Sequence, residues 1–227
     1  MARTLNVEAH ADRRDAFVDA ATRLIQSKGY EQLSIQDVLA ETGASKGAFY
    51  HYFDSKEALL EAVIERIVDN ALAAVGPIIV NPDRSAVEKF VGMFSGIAGW
   101  KNARMDLMLA LLEVWMSDDN IVVREKIRSS LTPRLGPLLT RIVSEGKAEG
   151  LFDVEDPAST AMLILSLIAG ANEGASRLFI DCRAGAATID DARRLIAAYQ
   201  QAFERVLGAP SGSLNYVDEQ TIQIWFG

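Results

Sequence analysis

Ser45-Lys46-Gly47-Ala48-Phe49-Tyr50-His51-Tyr52-Phe53 is the stretch from which the fold can be read. At about 100° per residue, a helix over these nine positions places Phe49 and Phe53 on one side. Lys46, Gly47, Tyr50 and His51 then share the other. The first face is suited to packing. The second carries an ammonium, a residue without a side chain, a phenol and an imidazole, a set that suits a polyanion met at close range.

The residues before it form a matching partner. Ser34-Ile35-Gln36-Asp37-Val38-Leu39-Ala40 predicts a short helix with Ser34 as N-cap, Asp37 three residues on, and Ile35, Val38 and Leu39 inward. Gly43 breaks the chain where a left-handed residue would turn it sharply. Two short helices around a glycine turn make a helix-turn-helix, whose second helix enters the major groove of DNA.

The ungapped run from Ile35 to Leu60 closely resembles the DNA-binding signature of the TetR family of bacterial transcriptional regulators. The likeness extends over roughly residues 12–68, and the rest of the chain matches only in size and helicity. The resemblance implies that Ser45, Lys46, Gly47, Tyr50, His51 and Tyr52 face an operator, with Ser34 and Lys56 bonding phosphates beside helix N-termini. Angular position supports Lys46, Tyr50 and His51, and allows Gly47 to bring backbone near base edges. Tyr52 falls nearer the inner face.

Composition bounds the alternatives. A chain of 227 residues, 49% hydrophobic and 24% charged, has the balance of a globular protein with room for one large or two modest domains. The net charge of −8 means that a DNA face must be a local patch, drawn from Arg3, Arg13, Arg14, Lys28, Lys46 and Lys56. The single cysteine, Cys182, has no partner for an internal disulfide. Met1–Asn6 has no apolar core of a signal peptide, and no apolar run approaches the ~18 residues of a membrane span. A cytoplasmic protein without membrane contact is expected. Only His10 and His51 are histidines, and neither has ligand-spaced neighbours, so no metal, cofactor or catalytic constellation is expected.

Taken in order, residues 1–11 are expected to be a frayed polar arm in which Arg3 is a candidate DNA contact. Helical spacing over 12–28 ends at Gly29. Asp54 and Glu57 suggest a capping box opening a helix that runs to Val75 and stops at Gly76-Pro77. Further helices are expected over 85–98, 101–117, 120–146 (bent near Pro133 and Pro137), 157–181 and 189–207. The flexible stretch 208–213 leads to a tail, 214–227, in which Ile222, Ile224 and Phe226 alternate with polar or aromatic residues. Seven large apolar residues there predict docking on the body or on a partner subunit, with disorder as the alternative.

The expected architecture is therefore all-α. Residues 1–55 form a three-helix DNA-binding unit with the helix-turn-helix, 56–207 a helical effector-binding and dimerisation domain, and 208–227 a linker and apolar tail. The function expected is sequence-specific regulation of transcription, read as repression relieved by a small apolar or amphipathic effector. The alternative is a constitutive DNA-binding protein whose second domain only dimerises. Candidate effector contacts are Phe90, Phe94, Met108, Glu113, Trp115, Asn172 and Glu173, weighed against plain core packing. Small residues along 157–181 (Ala161, Ser166, Ala169, Gly170, Gly174) suit close helix approach. With the 189–207 helix they would form a four-helix bundle in a homodimer reading a palindromic double-stranded operator.

Overall fold

The computed structural model describes the backbone of residues 2–116 and 121–227, and the side chains of 12–112, 116 and 131–227. The described residues form ten helices and no strand. They divide into two units, one of residues 1–69 with 104–127, the other of 70–103 with 128–227. The division falls inside two continuous helices and at one turn between helices, so the chain crosses between units three times.

In the first unit, α1 (Ala2–Lys28) ends at Gly29, whose φ of 78° suits a residue without Cβ. The backbone of the expected arm is thus helical from Ala2, because nothing between there and Gly29 is a proline or glycine that would stop it. α2 (Ile35–Thr42) and α3 (Lys46–Tyr50) are joined through Gly43, at φ 62° and ψ 21°, whose N–H donates to the Leu39 carbonyl. Phe17, Ala20, Ala21 and Ile25 of α1 meet Val38, Phe49, Phe53, Leu59, Leu60 and Val63 as buried side chains. Fully burying each large one stabilises by roughly 1.5–3 kcal/mol. α6 (Met105–Met116) packs against α1 and buries Leu107.

α4 (Lys56–Val80) departs from expectation at both ends. Ser55, not Asp54, caps it, its hydroxyl accepting from the Ala58 N–H at 3.1 Å. The helix also continues through Pro77. A proline removes one intrahelical bond, and that cost is offset here because the extra turn buries Ile79.

The second unit gathers the end of α4 with α5 (Ala86–Asn102), the later part of α7 (Ile121–Ala148), α8 (Pro157–Arg183), α9 (Ile189–Leu207) and α10 (Glu219–Phe226). Its core holds Val75, Ile79, Phe90, Met93, Leu139, Ile142, Ile164, Phe203, Leu207 and Leu214. Ser85 and Glu88 form a capping box on α5, and Asp156 caps α8 ahead of Pro157. Pro133 and Pro137 lie inside α7. α8 runs past its expected end at 181 to Arg183, and its composition and length would suit a membrane span, although very little of that apolar window is buried within the chain. The last described element is a helix, α10, which packs on α5, α8 and α9.

Candidate nucleic-acid interface

The candidate surface is built by two caps and an aromatic block. The Ser34 hydroxyl accepts from the Asp37 N–H at 3.2 Å, while the Asp37 carboxylate accepts from the Ser34 N–H at 2.8 Å and from its hydroxyl at 2.5 Å. Lys28 lies 2.7 Å from the same carboxylate. That ammonium, then the Ser34 hydroxyl and amide, hold the Asp37 carboxyl well below the usual carboxylate range. Lys28 therefore fastens α1 to α2, and its charge is already matched.

Ser45 repeats the capping device on α3, accepting from the Ala48 N–H at 3.2 Å. Regular helix ends at Tyr50 rather than running nine residues. Helical hydrogen bonds nevertheless continue from His51 N–H to Gly47, and from Phe53 N–H to Phe49, so the expected two-faced winding persists. The inner face is an aromatic block: Phe49 meets Phe17 edge-on at 5.6 Å, Phe53 meets Phe17 at 6.2 Å and Phe49 at 5.7 Å. This block fixes the rotation of α3 about its axis. It is why the outer residues point outward together.

Ser34, Ser45, Lys46, Gly47, Tyr50 and His51 are exposed. Tyr50 is 44% exposed, and Lys46 sets its ammonium 5.9 Å from the Tyr50 ring centre. A Cβ added at Gly47 would meet nothing within 4 Å. Its missing side chain is therefore not required by any neighbour among the described residues. Tyr52 is half-buried, its ring 5.8 Å from Phe17 and 5.1 Å edge-on from His51, in keeping with its angular position.

Lys56, the first residue of α4, is also half-buried, with its ammonium 4.1 Å from the Tyr30 ring and donating to the Glu31 carbonyl at 3.4 Å. Burial, with Glu57 and Glu31 nearby, pushes the Tyr30 phenol up to about 12. Arg14 stacks on Phe53 at 5.3 Å, and Arg13 is exposed. The Arg3 side chain lies outside the described residues. Sequence reading missed Arg66, which joins Asp19 at 2.8 Å and Thr22 at 3.3 Å and so ties α4 to α1.

Phe90 is fully buried and Phe94 packs 5.0 Å from it; both meet Phe203 at 5.6 Å, and Tyr216 closes on Phe94 at 4.9 Å. Met108 belongs to the other unit. Asn172 and Glu173 are exposed on α8, where Glu173 pairs with Arg177 at 2.7 Å. The side chains of Glu113 and Trp115 lie outside the described residues. Cys182 is half-buried, and burial raises its thiol above the ordinary value. Gly170 and Gly174 are used within the chain: a Cβ there would come 2.9 Å from the Tyr199 hydroxyl and 3.4 Å from Leu195, so α9 rests directly on them.

Residues 17–63 match the sequence pattern of the bacterial regulatory proteins of the tetR family. Curated relatives include a transcriptional repressor, ComR, of Escherichia coli, 33% identical over 85 residues that cover 37% of this chain and 40% of ComR. The regulator EthR of Mycolicibacterium smegmatis is 37% identical over 60 residues, 26% of this chain and 28% of its own. The chain thus spans well under half the length of these relatives. A TetR transcription regulator from Haloarcula marismortui has the same fold, with a TM-score of 0.61 and 22% identity over 87% of this chain and 97% of its own. RolR in complex with resorcinol does too, with a TM-score of 0.62 and 18% identity over 96% of this chain and 95% of its own.

Proposed function

We propose that this chain, which belongs through residues 17–63 to the TetR family of bacterial regulatory proteins, is a cytoplasmic, sequence-specific regulator of transcription that binds its operator as a homodimer. The observation that carries the reading is the outer face of α3. Lys46, Tyr50 and His51 are exposed together around a glycine that no neighbour requires, on a helix whose rotation is fixed by Phe17, Phe49 and Phe53. In this reading Lys46, with Ser45, Ser34 and Lys56, contacts phosphates, and Tyr50, His51 and the Gly47 backbone approach base edges. Tyr52 supports His51 from behind.

The dimer is proposed through α8 and α9. Met162 and Leu163 are 48% and 57% exposed, Ser166 and Ala169 are exposed on the same helix, and Ala197, Ala198 and Gln201 are exposed on α9. Two large apolar side chains left in water among small residues mark a candidate surface for association. A second copy related by a two-fold axis would cover it with the same residues and set two recognition helices on successive turns of DNA.

Repression, relieved by a small apolar or amphipathic effector, completes the proposal. It draws support from ComR, a repressor by name, and from RolR, captured with resorcinol on this fold. Binding would act through α4, which runs from Lys56 in the DNA unit into the second unit. One observation favours the alternative of a purely dimerising second domain: Phe90 and Phe94 are packed with Phe203 and Tyr216 as core. A thermal-shift screen of apolar and aromatic compounds, read together with operator release, decides between them. Release by a compound that raises the melting temperature supports the effector. Intact operator binding with no compound active throughout the screen supports the alternative.

A further inference from the structure

The first unit sorts its cations into two groups. Arg23 pairs with Glu41 at 2.6 Å, Lys28 with Asp37 at 2.7 Å and Arg66 with Asp19 at 2.8 Å. Each of these bonds joins α1 to α2 or α4, and each cancels the charge it holds. Arg14, Lys46 and Lys56 are treated differently. No carboxylate among the described residues pairs with them. Each lies over an aromatic ring instead: Arg14 5.3 Å from the centre of Phe53, Lys46 5.9 Å from Tyr50 and Lys56 4.1 Å from Tyr30. A carboxylate fixes a cation and neutralises it, whereas a ring quadrupole orients the cation and leaves its full charge. The ring-held groups are therefore in place and still able to meet an anion.

Arg14 is the member of this set that comes from outside the helix-turn-helix. It belongs to α1 and is half-buried. Phe53, 4% exposed, closes the recognition segment and packs against Phe17 and Phe49. The block that fixes the rotation of α3 thus also seats Arg14, at the end of the segment opposite Lys46. A guanidinium so held keeps N–H donors that the ring does not use, and its planar fork suits two oxygens of one phosphate. Arg13, exposed beside it, has no such seat among the described residues.

We propose, on the reading of α3 as the DNA-facing helix, that Arg14 is a phosphate contact of that surface, held ready by Phe53, and that Arg23, Lys28 and Arg66 take no part in it. Lys28 thereby leaves the patch in which sequence alone places it, and α1 supplies a contact through Arg14.

Anisotropy titration of the full-length protein with a random-sequence duplex across a salt series tests this, because a phosphate contact carries no sequence information. Arg14→Met keeps an apolar stem beside Phe53 and removes the charge. It is expected to weaken binding by roughly three- to tenfold at low salt, and to lower the slope of log K against log salt by about 1 for each subunit bound. Arg14→Lys is expected to keep the slope, and the paired change Arg23→Gln, Glu41→Gln to keep slope and affinity alike. In the wild-type protein the duplex is expected to shield Arg14, but not Arg23, from phenylglyoxal, read by tandem mass spectrometry; this measurement needs no variant to fold. An unchanged slope in Arg14→Met, a lowered slope in the Arg23, Glu41 pair, or Arg14 left as reactive as Arg23 would overturn the assignment. A wild-type protein that binds no duplex at all would overturn the regulator reading and the assignment together.

Discussion

Lys56 holds its ammonium 4.1 Å from the centre of the Tyr30 ring. It is thereby fixed at the first turn of α4, beside the capped start of α2, instead of sweeping through solvent. A cation held in place gives up less side-chain entropy on meeting a phosphate than a free one. Lys56→Ala should weaken binding to cognate and random DNA alike. It should also lower the slope of log K against log salt by about 1, measured by anisotropy titration across a salt series. His51→Ala should instead change the ranking of operator variants. Equal losses on cognate and random DNA would remove His51 from base reading.

Gly47 offers a sharper separation of folding from binding. Because a Cβ there meets nothing within 4 Å, Gly47→Ala should leave the fold intact or raise stability by about 0.5–1 kcal/mol, the helix preference of alanine. Operator affinity should nonetheless fall. Thermal melting and operator titration on one preparation check both. Unchanged affinity would mean that no partner needs the open backbone.

Phe49 is fully buried between Phe17 and Phe53. Phe49→Ala should cost about 3–5 kcal/mol in the first unit through lost burial and a cavity, seen as a loss in denaturant midpoint. Loss below about 1 kcal/mol would show that the aromatic block does not set the orientation of α3.

Glu204 is 4% exposed. Burial pushes its carboxyl up, but hydrogen bonds from Gln200 and from the Leu214, Gly212 and Ser213 backbone outweigh this and hold it below the ordinary value. A depressed folded pKa adds stability that is present above the unfolded value and lost as pH falls through the folded one. Stability should therefore decline on acidification below about pH 4.5. Glu204→Gln should lose about 1–3 kcal/mol at neutral pH and show a flatter acid limb in melts recorded between about pH 3 and 7.

Leu163 is 57% exposed on α8. If the α8–α9 stripe is the dimer surface, Leu163→Glu should shift sedimentation from dimer to monomer and abolish high-affinity operator binding while helicity stays unchanged. A dimer that survives the charge would place the two-fold interface elsewhere.

The first unit is largely legible because its signals are local. Ser34 with Asp37, Gly43 and the Phe49/Phe53 spacing each act over four residues or fewer, and the TetR resemblance lies on the same run. What failed to read was decided by distant packing. Gly76-Pro77 looked like a stop, yet burial of Ile79 carries α4 past it. Three alternating residues at 222–226 are too few to separate a period of 2 from one of 3.6, and the Asp218 cap was the overlooked sign of a helix. The Trp225–Asn102 bond spans 123 positions, and no local pattern announces it. Phe90 and Phe94 showed helical spacing whether they lined a cavity or filled a core, and their ring contacts with Phe203 and Tyr216 place them in the core.

The central claim is that the outer face of α3 reads a DNA sequence. Selection of binding sites from a random duplex library, repeated with the Lys46→Ala, Tyr50→Ala double variant, tests it most directly. The wild-type protein is predicted to enrich a palindrome with half-sites about one helical turn apart or a multiple of that, and the variant to enrich nothing. Failure of the wild-type protein to enrich any sequence, or enrichment of the same palindrome by the variant, would contradict the account.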